Sequence, residues 1–146
     1  MTAAANATVS HATLVDQSHL DTRDKIITPD AAGALGSAAG PAVLVTGHFD
    51  VLLAAHAHEL ACERQRTPGA VLIVAVTPPA EPVLSPAARA EMVAALDLVD
   101  YVLTLEEREI GSLLASFAGK RIVRLEAAHQ QRMRDLIEHV HRRQSC

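Results

Sequence analysis

The segment Thr46-Gly47-His48-Phe49-Asp50 lies where an apolar run ends and a helical pattern begins. A glycine at such a junction lets the chain turn tightly and lets a ligand approach the backbone closely. A helix starting there presents unpaired N–H groups and the positive end of its dipole, which suit a phosphate. His56 falls in the first turns of that helix. From there an imidazole reaches a phosphate at the helix mouth and favours charge developing on a transferring phosphoryl group. The competing reading is plainer: strand-loop-helix units are common, and a histidine near a helix start also serves as a cap or a packing residue.

Other residues also carry groups capable of chemistry. His58 and Cys62 are four apart and share a helix face, whereas His56 and His58, two apart, do not. Zinc would need further ligands from elsewhere, so the reading is a mixed helix face with no metal site. His48 is expected to be a solvated loop histidine, with a hydrogen bond to a ligand as the alternative. The stretch 120–143 is locally basic, with Lys120, Arg121, Arg124, Arg132, Arg134, Arg142 and Arg143 against Glu126, Asp135 and Glu138. It reads as a solvated face or as a surface for an anionic ligand or a partner.

These residues need a scaffold, and the hydrophobic pattern supplies one. Residues 42–46 (AVLVT) and 70–76 (AVLIVAV) read as strands apolar on both faces. A third strand is expected at 100–104 and a more exposed fourth at 121–125. Helices are expected at 29–39, 53–66, 86–98, 104–117 and 127–142. Thr28-Pro29-Asp30 and Ser85-Pro86 are good helix starts, and Thr104 with Glu107 suggests a capping box. Gly33 and Gly36 weaken the first helix. The segment 77–84, with Pro78, Pro79 and Pro82, must be a loop. In the last helix Met133, Leu136, Ile137 and Val140 form an i, i+3, i+4, i+7 stripe, which packs on the domain's own sheet or on a second copy in a homodimer.

Alternation of strand and helix implies a mainly parallel sheet of four to five strands covered on both sides, an α/β three-layer sandwich. Ligands of such sheets sit beyond the carboxyl ends of the strands. Residues 1–23, rich in Ala, Thr, Ser and Asn, read as a flexible leader, and 24–146 as one domain. The chain has 146 residues, 49% of them hydrophobic, enough for one core. Aromatics are 2% and the net charge is −4, which argues against a nucleic-acid partner. The two cysteines, Cys62 and Cys146, form no disulfide framework. With no signal peptide and no membrane-length apolar run, a cytoplasmic location is expected, with no membrane partner.

The run 47–56, Gly-His-Phe-Asp-Val-Leu-Leu-Ala-Ala-His, resembles the G-x-F-D-x-x-H-x-G-H signature of the cytidylyltransferase-like nucleotidyltransferases. The lead-in 24–28, the strand 72–76 and the helix 86–100 (PAARAEMVAALDLVD) are similar to segments of the nucleotidyltransferase domain of ADP-heptose synthases. Glycerol-3-phosphate cytidylyltransferase is similar too. The resemblance implies a Rossmann-like fold and transfer of a nucleotidyl group from CTP or ATP, with Mg2+, to a sugar or polyol phosphate, releasing pyrophosphate. It implies His56 as the catalytic residue and Thr46, Gly47, His48, Phe49, Asp50 and Arg89 as nucleotide-binding residues. The H-x-G-H element is degenerate: Leu53 stands at its first histidine and Ala55 at its glycine. Loop 77–84 carries no Lys or Arg, and a late Ser/Thr-rich motif has no counterpart. These departures imply impaired transfer, or alternatively an inactive relative acting as a nucleotide-binding or protein-interaction module.

Overall fold

The computed structural model describes residues 21–145; the leader expected at 1–23 lies almost wholly outside the described residues. After a 3₁₀ turn at Thr22–Lys25 come α1 (Pro29–Ser37), β1 (Ala42–Gly47), α2 (Ala54–Arg66), β2 (Val71–Val76) and α3 (Pro86–Ala94). Then follow β3 (Tyr101–Thr104), α4 (Glu107–Ser116), β4 (Arg121–Arg124) and α5 (Glu126–Gln144).

The four strands form one parallel sheet in the order β3-β2-β1-β4. Its register sets Gly47 beside Val76, Val76 beside Thr104, and Thr46 beside Arg124, so the carboxyl ends of all four strands share one edge. Outside the strands, Ile26 bridges Val102 in parallel and lengthens the pairing on the β3 side.

Alternate residues of β1 and β2 point into two separate cores. Val43, Val45, Leu72, Val74 and Val76 pack with Leu60 of α2 and with Ala90, Val93 and Ala94 of α3. Leu44, Ile73 and Ala75 pack on the other face with Ala32 of α1 and with Ile110, Leu113 and Phe117 at α4. Strands covered on both sides need apolar residues at every position, which is why these runs do not alternate. The molecule is thus a Rossmann-like α/β three-layer sandwich, and α5 packs through His129 on Phe49 and His56.

Local chemistry explains the helix starts. Thr28 Oγ1 accepts from Ala31 N–H at 3.2 Å, and Ser85 Oγ accepts from Ala88 N–H at 3.1 Å. Proline follows each cap, where its missing N–H costs nothing. Gly36, which weakens α1 as an isolated helix, is explained by packing: a Cβ there would stand 2.6 Å from the Phe117 ring.

Two expectations are corrected. Thr104 does not cap α4, because it is the last residue of β3 and pairs with Val76. The cap is Glu106, whose N–H donates to Glu109 Oε1 at 3.3 Å. The helix expected at 86–98 stops at Ala94. The chain then turns so that Val99 enters the core and Asp100 Oδ2 accepts from Leu72 N–H at 2.8 Å and from Arg64 Nη1 at 2.7 Å.

Candidate functional site

The chain leaves β1 to β2 and β3 on one side and returns through β4 on the other. The carboxyl ends of β1 and β4 therefore mark the point where strand order reverses, the usual ligand crevice of such sheets. Beyond them lies a cavity of about 330 Å³, at the small end of ligand pockets. The turn after β1 and the start of α2 contribute His48, Asp50, Leu53 and His56. Loop 77–84 contributes Pro79 and Glu81. The facing wall is α5, with His129, Gln130, Arg132, Met133, Arg134, Leu136 and Ile137.

The turn is built tightly. Thr46 is fully buried, and its hydroxyl accepts from Arg124 Nε at 3.4 Å. Phe49 adopts φ 46°, a left-handed conformation rare outside glycine, and its ring is fully buried. Gly47 has no room for a side chain: a Cβ would stand 2.7 Å from His129 Nδ1 and 2.9 Å from Phe49 Cε2. The space beside this glycine is occupied by the His129 ring.

His129 is the residue that sequence reasoning missed. It is 4% exposed. Its Nδ1 accepts from His48 N–H at 3.1 Å and from Phe49 N–H at 3.4 Å. The proton of the neutral ring therefore sits on Nε2. That atom is buried without a hydrogen-bond partner, 3.7 Å from Glu59 Oε1. Glu59 is held by Arg132 Nη1 at 2.7 Å, an ion pair whose alignment falls short of a hydrogen bond. Burial, then the nearby His56, Arg132 and His48, push the His129 pKa down to about 3. The ring packs edge-on against Phe49 and His56, with centroids 4.6 and 4.4 Å away.

His56 is buried beside it, and its Nδ1 accepts from Leu53 N–H at 2.9 Å. It thereby closes the first turn of α2, since Leu53 at the cap position has no polar side chain. Burial, and then Arg132, lower its pKa. His48 departs from expectation. It is buried, not solvated. Its Nδ1 meets Thr77 O at 3.1 Å and its Nε2 meets Gln130 Nε2 at 3.3 Å. The ring therefore donates to the carbonyl and accepts from the amide.

Asp50 and Arg89 tie the two loops of the site together. Asp50 accepts from Val83 N–H at 2.8 Å and from Leu84 N–H at 2.9 Å. Arg89, 2% exposed, donates to His48 O and Thr77 O, each at 3.0 Å, and to Leu84 O at 3.3 Å. It lies 3.9 Å from Asp50. Burial lowers the Arg89 pKa, and the Asp50 charge opposes that. Five of the seven expected site residues lie in the segment 46–50, His56 packs against it from α2, and Arg89 reaches it from α3.

Both Asp50 oxygens are engaged by backbone N–H groups. Among the described residues no group of three His, Cys, Asp or Glu side chains is placed to hold a metal ion. His58 and Cys62 lie on one face as expected, with Sγ and Nε2 3.7 Å apart.

Much of the basic stretch serves the fold. Lys120 Nζ donates to Leu35 O and Ala38 O, Arg121 pairs with Glu63 at 2.7 Å, and Arg124 pairs with Glu126 at 3.0 Å. The stripe on α5 is divided: Met133, Leu136 and Ile137 line the cavity, with Ile137 at its open side 46% exposed, while Val140 lies beyond the cavity and is 43% exposed. Among the described residues no helix is long and apolar enough to cross a membrane.

Sheet order, layers and crevice define a Rossmann-like α/β domain with a cavity at its switch point. No family model and no curated protein matches the chain. Among solved structures it is similar to the lipopolysaccharide core biosynthesis protein from Thermoplasma volcanium GSS1, at 19% identity and a TM-score of 0.45. That similarity covers 57% of this chain and 94% of the other.

Proposed function

We propose that this chain is a non-catalytic, nucleotidyltransferase-like protein that binds a nucleoside phosphate in the switch-point cavity and does not transfer it. The observation that carries this reading is the state of the charged motif residues. Asp50 and Arg89 bond backbone groups of the two loops and hold the site's shape, and Arg89, 2% exposed, does not line the cavity. Leu53 has no donor to offer a phosphate oxygen. Loss of one such donor typically costs about 10²–10³ in rate. His56 uses Nδ1 to cap α2, which leaves its Nε2–H as the one donor of that ring. Binding retains support: the cavity lies where parallel sheets take ligands, and its α5 wall carries Arg132 and Arg134.

A thermal-shift series with CTP and ATP, with and without Mg2+, tests the reading beside an assay for released pyrophosphate. The expected outcome is a rise in melting temperature with a nucleotide and no pyrophosphate with any sugar or polyol phosphate. Pyrophosphate release abolished by His56→Ala would make the protein an enzyme instead. No shift with any nucleotide would remove the binding role.

A further inference from the structure

The backbone N–H groups of His48 and Phe49 point into the space beside Gly47, just past the end of β1. Converging amides in a turn of this kind form a concave site for an anion. Here both donate to one atom, Nδ1 of His129, a side chain 81 and 80 residues away along the chain. The fit has a cost that packing alone does not explain. On the far side of the ring Nε2–H is buried with no hydrogen-bond partner, 3.7 Å from Glu59 Oε1, which is itself ion-paired with Arg132 at 2.7 Å. A neutral imidazole nitrogen is also a weaker acceptor for two amides than a charged phosphate oxygen.

We propose that His129 is a built-in occupant of an anion site, standing where a phosphate oxygen would sit, and that a phosphate-bearing ligand must displace it in order to bind. The proposal rests on the reading of the cavity as a nucleoside-phosphate site and adds its regulation. His129 lies in the first turns of α5, which are held by Leu125 N–H to Thr46 O at 2.8 Å, by Gln130 to His48, and by Arg132 to Glu59. Displacing the ring loosens these contacts, so ligand entry and α5 docking oppose each other. Occupation of the site then becomes a signal carried by the last helix.

The test is calorimetric titration of pyrophosphate and of CTP into the wild-type chain and into His129→Ala. The variant frees both amides and opens the space beside Gly47. It is expected to bind both probes at least tenfold more tightly. Equal affinities in the two proteins would overturn the displacement and leave the cavity reading standing. Tighter pyrophosphate with no CTP binding to either protein would uphold the anion site and remove the nucleotide reading. Binding of neither probe to either protein would overturn both. Amide exchange of the wild-type chain gives a second measurement that does not depend on the folding of His129→Ala. Saturating pyrophosphate should speed exchange in 126–133 and slow it at His48 and Phe49. Unchanged exchange in 126–133 would overturn the proposal.

Discussion

Acid should destabilise this domain well before its carboxylates titrate, and His129 should be the main reason. The folded state holds the ring neutral, with a pKa of about 3 against 6.5 for the free side chain. Between those values the unfolded chain binds a proton that the native chain does not, so stability rises with pH. The contribution is complete above the unfolded pKa and is lost as pH falls toward the folded one. Going from about pH 7.5 to about pH 5 should cost roughly 2 kcal/mol from this group, at about 1.4 kcal/mol per unit. For a domain of this size that is roughly 4–8 °C in melting temperature. His56, also held below its ordinary value, adds to the loss in the same direction. Urea unfolding of wild type and His129→Gln at both pH values measures it, since glutamine offers an acceptor oxygen but takes up no proton. The pH-dependent loss should shrink by roughly 2 kcal/mol in the variant. Equal losses in the two proteins, or a His129 imidazole titrating near 6.5 in the folded protein by NMR, would refute the argument.

Gly47→Ala forces a methyl group against the rings of His129 and Phe49, and it should destabilise by about 1–3 kcal/mol. Denaturant unfolding reads the cost, and His129→Ala in the same chain should recover part of it, because neighbouring sites do not add. Asp50→Ala strips the acceptor from Val83 and Leu84 N–H and leaves Arg89 buried without its counter-charge. It should cost about 3 kcal/mol and make loop 77–84 the first site of protease cleavage, read by mass spectrometry of a limited digest. Glu63→Gln weakens the pairing with Arg121 and Arg66. Hydrogen bonding to Arg121 holds the Glu63 pKa below its ordinary value, so its contribution is present above about pH 4.5 and lost below that. Both arginines are well exposed, so the loss near neutral pH should stay within about 1 kcal/mol; equal stability losses at pH 7 and pH 3 would contradict it.

The sheet was legible because strands covered on both faces must be apolar at every position, and 42–46 and 70–76 are. The end of α3 was not, since Leu96 and Leu98 continue the apolar pattern of the helix. The chain turns there because Val99 and Asp100 serve the core and the edge of β2, a tertiary demand that local pattern does not carry. Thr104 looked like a cap for the same kind of reason: its hydroxyl suited the role, but its backbone was claimed by the ladder. At the site, Gly47 announced a close approach, yet nothing in the sequence said that the approaching group came from the protein itself. One signal was present. His129 lies four residues before Met133 and extends the apolar stripe of α5 by one turn. An ionisable residue on the buried line of an otherwise charged helix is a reason to look for what it faces.

The contact between His48 and His129 spans 81 residues, and it places the final stage of assembly. During synthesis β1, β2 and β3 leave the ribosome before α5, and domains fold as their chain emerges. Closing so long a loop is slow and contributes late. The growing chain should therefore pass through a stage in which the sheet is paired but the Gly47 turn stands open, and a nascent chain stalled before residue 126 would display that stage for direct study.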